Sequence, residues 1–413
     1  MFAVDDQLFT ESDFHHYEHQ LNKHPIWQKA DKWRIAICPE DIGKWIMLLL
    51  YLKKKKASVV PIHPSTPITA AERIAEQAGC YYLFYHSFEA PLTLSNPQSD
   101  IQPGLVQFSS GTTGEPKQIK RSWISIDEEI AAYSLQFKRV EVDTIIVACP
   151  VTHSYGLISG VLAGLAQNKH VVIVTTQNPK YVLKKAKEHS KYLLYAAPPL
   201  LYTMARFVKG EDKLYGVMTS GTRLSDTWFK TIRASSVFIM QQYGCSEIGC
   251  MSVAHSLSHP DQMGIPLSHL NVQAGQSDEK PAEITVVKGA RSIATGDLGY
   301  FNKEGVLCFL ERIGDMINVA GLNVYPHEVE QVLCQHNDVN EAVVYKKVDP
   351  FAGERVCAQV VGDEQVLSVA RLRSWCIEYL APHQVPQQFT IVNTIQKSAN
   401  GKVNRKQLGE VAE

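Results

Sequence analysis

Phe108-Ser109-Ser110-Gly111-Thr112-Thr113-Gly114-Glu115-Pro116-Lys117 is the stretch on which the reading of this chain turns. A short apolar run over 105–108 leads into it, and a helical pattern over 125–136 follows. Two glycines let the backbone fold tightly, while the hydroxyls and the lysine supply donors and positive charge. Such a loop suits phosphate oxygens. The GxxxxGK[ST] pattern does not fit, because Lys117 follows Pro116 and precedes Gln118. The bland alternative is a solvated Ser/Thr/Gly turn.

Working outward, short β-branched runs alternate with helical stretches. Strands are expected over 34–38, 58–61, 81–84, 105–108, 144–149, 170–174, 192–196 and 237–241, and helices over 42–52, 70–78 and 125–136. That alternation predicts an α/β fold with layered, largely parallel sheets. Past Arg312 the pattern changes to a helix (326–335), strands (341–347 and 356–361), a helix (368–379) and a strand (388–392). We therefore expect a large N-terminal domain over 1–312 and a smaller, mobile α+β domain over 313–413.

The 413 residues carry 41 basic and 42 acidic side chains, so neither nucleic acid nor an anionic membrane is indicated as partner. Nine dispersed cysteines without a CxxC pair read as reduced thiols in a cytoplasmic protein. The acidic N-terminus does not read as a signal peptide. The apolar run from Trp45 to Leu52, followed by Lys53 to Lys56, is too short to span a bilayer and reads as a buried helix. His15, His16 and His19, at helical spacing, are expected to lie on a solvated helix face rather than to form a metal clasp.

Further segments join the first. Tyr243-Gly244-Cys245-Ser246-Glu247, Thr295-Gly296-Asp297, Glu311-Arg312-Ile313-Gly314-Asp315, the run from Gly321 to Glu330, and Asn400-Gly401-Lys402 follow in order. Together with the 108–117 loop they resemble the motif set of the adenylate-forming superfamily: acyl-CoA synthetases, peptide-synthetase adenylation domains and luciferases. The resemblance implies a two-step enzyme. A carboxylic acid reacts with ATP to give an acyl-adenylate and pyrophosphate, and the acyl group then passes to a thiol.

The same resemblance implies roles. Lys402 brings a point charge to the pentavalent phosphorus, worth about 3–4 kcal/mol of transition-state stabilisation. Glu247 holds Mg²⁺, and Ser246, where the family has threonine, keeps a hydroxyl for a phosphate oxygen. Ser109, Ser110, Gly111, Thr112, Thr113, Gly114 and Lys117 surround the phosphates. Gly221 and Thr222 meet the adenine through a turn, Tyr243 offers it a ring to stack on with Gly244 also in the nucleotide site, and Asp297 with Arg312 takes the ribose. Asp315 is the hinge. Pro150-Val-Thr-His153-Ser-Tyr155-Gly-Leu157 resembles the acyl-pocket segment, so His153, Tyr155, Thr222, Met240 and Gln241 are the candidate pocket residues. For Tyr243 and His153 a purely structural role is the alternative.

The chain departs from the family pattern at Gln118 (usually Gly), Asn318 (often Lys) and Ala294 (often Arg), and the phosphate loop comes early, implying a shortened N-terminal part. The first expectation is a ligase using coenzyme A. The alternative loads a carrier-protein phosphopantetheine with an amino acid or an aryl acid, such as a dihydroxybenzoate for siderophore synthesis. A non-catalytic nucleotide binder is a different class, disfavoured because Glu247 and Lys402 are both present.

Overall fold

The computed structural model describes residues 1–410 except 96, 99–100, 110–116, 139, 209, 211, 222–223, 289–290, 320–321, 364–365 and 398–402. Among them the strands form three sheets. A six-stranded sheet runs, edge to edge, through Leu92–Thr93, Tyr82–Tyr85, Arg34–Cys38, Ser58–Pro61, Gly104–Ser109 and Lys117–Ser122. A thirteen-stranded sheet has a parallel part built from Ser236–Cys245, Leu214–Thr219, Tyr192–Tyr195, Thr144–Val147, His170–Ile173 and Phe2–Val4. It continues as antiparallel strands through Gly249–Ala254, Gln262–Pro266 and Leu307–Arg312 to Arg291–Phe301, Ala282–Lys288 and Asn271–Gln273. All strands of the third, five-stranded sheet lie beyond Asp315.

The helix Ile42–Lys54 shows why the layers form. Asp41 caps it, accepting from Lys44 N–H at 2.9 Å, and Lys53 and Lys54 occupy its last turn, where positive charge suits the helix dipole. Trp45, Ile46, Leu48, Leu49, Tyr51 and Leu52 have no exposed surface. A helix apolar on all sides needs cover on all sides, and it packs between the two large sheets in one core with Ile35, Val59 and Leu105 on one side and Ile145, Val147 and Val171 on the other. Each such side chain contributes about 1.5–3 kcal/mol on burial. The run from Trp45 to Leu52 is thus core, and no described helix is long and apolar enough to cross a membrane.

Outside these sheets lie further helices. Ile68–Gln77 covers the six-stranded sheet at Ala36, Val60 and Leu83. Pro179–Lys187, Pro198–Ala205 and Asp226–Ala234 cover the thirteen-stranded one at Ile146, Val172, Leu194 and Val217. The order is helix, sheet, helix, sheet, helix: an α/β fold with a large N-terminal domain. The C-terminal sheet carries Pro326–Cys334 and Val369–Tyr379 over a separate core of Ile317, Val344, Val356 and Leu372.

One expectation changes. A strand, Lys117–Ser122, stands between the Ser/Thr/Gly stretch and the helix, which runs over Trp123–Gln136. Ile119 and Arg121 are buried while Lys120 and Ser122 are exposed, a period of two that a half-buried strand requires. The stretch therefore joins two antiparallel strands, with Ser109 opposite Lys117.

Candidate active site

Lys117, at the foot of that hairpin, brings its ammonium 3.4 Å from Glu247 Oε1, a residue 130 positions away. Both side chains are partly open to solvent, and such a pair is worth about 0–1 kcal/mol. Ser246 and Glu247 form the tip of a tight turn between Ser236–Cys245 and Gly249–Ala254, whose register shifts after Tyr243. Glycine is required at its base. A Cβ on Gly244 would lie 2.2 Å from the Gly249 carbonyl oxygen, and Gly249 has φ +95°.

Behind the turn sits a pair the sequence did not reveal. Arg121 and Glu129 have side chains 3% and 2% exposed and are joined by Arg121 Nη2 donating to Glu129 Oε2. The other carboxylate oxygen accepts the Cys250 N–H at 2.8 Å. The strand after the phosphate-loop candidate and the turn bearing Glu247 thus share one buried fastening. Its only signal was an Arg and a Glu eight residues apart, indistinguishable from surface charge.

On the adjoining antiparallel strands, Asp297 lies directly opposite Arg312 in the register. Asp297 Oδ2 accepts from the Tyr243 hydroxyl at 2.7 Å, and Arg312 Nε is 3.6 Å from Oδ1. Gly296, at φ +74°, allows the bend and donates its N–H to Glu283 at 2.9 Å. Tyr243 is 8% exposed and packs with Met251, Ile284 and Leu307, so in this arrangement little of its ring is open to stack on a base. Burial pushes its phenol far above the usual range, aided by the Asp297 charge, and it remains a hydrogen-bond donor to that carboxylate.

The segment from Pro150 leads into a π-helical turn, Tyr155–Leu162, whose wider winding is frequent at functional sites. Gly160 lets it lie against Val147; a Cβ there would come within 2.8 Å of that side chain. His153 is exposed at its start. Ser154 donates to Gln107 Oε1 at 2.6 Å, and Gln107 Nε2 donates to the Thr152 carbonyl at 3.1 Å, tying this segment to the strand before the phosphate-loop candidate. The Tyr155 hydroxyl donates to the Met218 carbonyl at 2.6 Å. Met240 is buried in the same core.

Gln241 requires correction as a pocket residue. Strand neighbours point to opposite faces, and Gln241 Nε2 donates to the Pro260 and Gln262 carbonyls at 3.0 and 3.1 Å, away from Met240. Gln242 shares the Met240 face instead. It accepts from Tyr133 at 2.7 Å and donates to Ser159 at 3.0 Å, and Tyr133 meets the Tyr195 hydroxyl at 2.9 Å. Tyr133, Ser159 and Tyr195 gave no such signal in the sequence, because they and Gln242 come from four separate elements.

Ser220 donates to the Gln242 carbonyl at 3.1 Å, and Gly221 adopts φ +92°. The hydroxyls of Thr152 and Thr219, one residue before His153 and Ser220, are buried and find no hydrogen-bond partner among the described residues. An orphaned polar atom is costly unless something completes it, and these two fit a site for a polar ligand. Ser110, Gly111, Thr112, Thr113, Gly114, Thr222 and Lys402 lie outside the described residues, as does the Ser109 side chain.

Asp315 lies 3.4 Å from Arg405 Nη1, while Arg405 Nη2 reaches both Glu330 oxygens at 2.8 and 3.1 Å. Burial raises the Asp315 carboxyl, with the Arg405 charge opposing. No group of three or more His, Cys, Asp or Glu suited to a metal occurs among the described residues. A lone carboxylate still fits Mg²⁺, which commonly takes one or two carboxylates and completes its shell with substrate phosphates and water.

Comparison with known proteins shows the family and the fold. A 3,4-dihydroxybenzoate–aryl-carrier-protein ligase of Bacillus anthracis is 37% identical over 416 residues, covering the whole of both chains. A 2-succinylbenzoate–CoA ligase of Bacillus licheniformis is 27% identical over 331 residues, 73% of this chain and 69% of that one. Among solved structures, ATP-bound MatB from Rhodopseudomonas palustris superposes with a TM-score of 0.85 at 16% identity, covering 99% of this chain and 95% of that one. The o-succinylbenzoate CoA synthetase of Bacillus subtilis does so with 0.83 at 21%, covering 100% and 95%. These two likenesses show the fold. The AMP-binding enzyme family matches residues 93–285 and the AMP-binding enzyme C-terminal domain residues 328–402. Matched by both family models and with a relative alike from end to end, the chain belongs to the adenylate-forming, AMP-binding enzyme family.

Proposed function

We propose that this enzyme activates a hydroxylated aryl carboxylic acid and loads it on the phosphopantetheine thiol of an aryl carrier protein. The observation that carries this is the full-length, 37% likeness to a ligase of that kind. The carrier-protein alternative is thereby favoured over the coenzyme A expectation drawn from the sequence, since the two 2-succinylbenzoate–CoA ligases are 27% and 25% identical over about three quarters of the chain.

In the first half-reaction the carboxylate oxygen attacks the α-phosphorus of ATP. An O–P bond forms as the bond to the β,γ-phosphates breaks, releasing pyrophosphate. Two anions must meet, so positive charge is needed at the phosphates. Lys402 and Lys117 provide it, Ser246 and the 109–114 loop donate hydrogen bonds, and Glu247 holds Mg²⁺, whose charge offsets that of the phosphates. Asp297 accepts the ribose hydroxyls with Arg312 beside it, and Gly221 and Thr222 border the adenine. His153, Tyr155, Met240 and Thr222 surround the acid, the Thr152 and Thr219 hydroxyls supplying polar partners.

In the second half-reaction the pantetheine sulfur attacks the acyl carbon. A C–S bond forms, the C–O bond to AMP breaks, and the thiol proton passes to solvent. We assign the boundary to Arg312, with domains 1–312 and 313–413 pivoting at Asp315 between the two steps. Nine free thiols fit a reducing compartment, and we assign the enzyme to the cytoplasm.

Acid-dependent exchange of labelled pyrophosphate into ATP tests the first step across 3,4-dihydroxybenzoate, its isomers, benzoate, 2-succinylbenzoate and amino acids. Holo aryl carrier protein and coenzyme A then compete as acceptors. We expect dihydroxybenzoate and the carrier to give the highest kcat/KM. Coenzyme A turning over as well as the carrier would return the enzyme to the CoA ligases, and a lack of exchange with every acid would mark a non-catalytic binder.

A further inference from the structure

The C-terminal unit meets the large domain through contacts that the two half-reactions do not themselves require. His327 and Gln331 stand four residues apart on Pro326–Cys334, hence on one helix face. The backbone N–H and Nδ1 of His327 lie 3.2 and 3.0 Å from Glu311 Oε2, at the end of the strand bearing Arg312. Gln331 Nε2 donates to Asp226 Oδ2 at 3.3 Å, in the first turn of Asp226–Ala234. Two residues on, Trp228 receives the Lys397 ammonium 5.3 Å from its ring centroid. Its indole is itself stacked on Tyr202, with centroids 5.2 Å apart and planes at 14°.

We propose that these three contacts form a latch holding the arrangement used for adenylation, and that Trp228, Gln331 and His327 are positioning residues for that half-reaction alone. The proposal rests on the two-step reading above. Two observations give it direction. Glu311 precedes Asp315 and His327 follows it, so a swing about Asp315 separates them; the contact belongs to one arrangement only. Lys397 lies five residues before Lys402, a tether of at most roughly 18 Å when fully extended. Holding Lys397 on Trp228 therefore limits how far Lys402 can stray from the helix that begins five residues after Gly221.

The latch has the right strength for its task. A cation over a partly buried indole and a single long hydrogen bond, 3.3 Å, each shift a two-state population by roughly two- to tenfold. Such contacts favour one arrangement and still release within a catalytic cycle.

The test uses the full-length enzyme and its W228A, Q331A, W228A/Q331A and W228F variants. Pyrophosphate exchange reads the first half-reaction; thioester formation from supplied acyl-adenylate and holo carrier protein reads the second. The double variant should lose roughly tenfold or more in exchange, with thioester formation unchanged or faster, and W228F, which keeps a ring beneath Lys397, should retain most of the exchange. A proportionate fall in both half-reactions, or unaltered exchange in the double variant, overturns the latch. Should thermal melts show W228A unfolded, Q331A alone decides by the same split, a fall in exchange with thioester formation unchanged. Wild-type protein inert with every acid would overturn the two-step reading and the latch with it, whereas an active wild type with unsplit variants overturns the latch only.

Discussion

Removing the Glu129 carboxylate tests whether the turn carrying Glu247 is held from behind. In E129A the Arg121 guanidinium, 3% exposed, loses its counter-charge, and the Cys250 N–H loses the acceptor 2.8 Å away. Breaking one side of a buried ion pair costs about 3–5 kcal/mol, because the remaining charge is stranded in a poor solvent. Against a typical stability of about 5–15 kcal/mol, that is a lowering of Tm by about 6–20 °C at roughly 2–4 °C per kcal/mol. E129Q keeps an acceptor for Cys250 and should fall between. The double variant R121M/E129L removes both charges and refills the volume, so its stability should return towards wild type. Its exchange activity should not, since Cys250 N–H still lacks the oxygen that positions the turn. Urea unfolding and pyrophosphate exchange on the four proteins give the answer. An E129A protein within 1 kcal/mol of wild type by the urea midpoint, when about 3–5 is expected, would refute the reasoning, as would a double variant less stable than either single one.

K402A should lower acid-dependent exchange by about 10²–10³-fold and leave thioester formation from supplied acyl-adenylate intact; equal losses in both would sink the role given to Lys402. The Glu311 carboxyl provides a pH signature. Burial acts to raise it, but the His327 hydrogen bond and the charges of Arg405 and His327 prevail and hold it below the ordinary carboxylate range. A depressed carboxyl stabilises the fold above its unfolded value of about 4.3 and loses that contribution as pH falls through its lower folded value. Thermal melts in acid should therefore show a steeper decline for wild type than for E311Q, and parallel acid limbs would exclude Glu311 as a contributor.

Much of the local structure was legible. The strands Arg34–Cys38, Ser58–Pro61 and Gln388–Val392 lie where β-branched periodicity puts them, bounded by turn residues. Leu214–Thr219 and the initial hairpin of Phe2–Val4 with Gln7–Phe9 were not foreseen. Three residues make too short a period to register, and Gly216 interrupts the other run, tolerated because the ring of Phe238 fills the space its side chain would occupy.

What the residues alone determined is the chemistry: hydroxyls, glycines, lysines and single carboxylates at short spacings, because phosphate and ribose recognition demands those groups within a few residues of one another. What tertiary structure alone decided is which distant groups meet. Lys117 with Glu247, Arg121 and Glu129 beneath Cys250, Gln242 rather than Gln241 on the Met240 face, and Lys397 over Trp228 all depend on how sheets and helices stack. A charge or an amide bears no local mark of its partner. Only burial, which makes an unpaired polar group costly, selects the pairing, and burial exists only once the layers have closed.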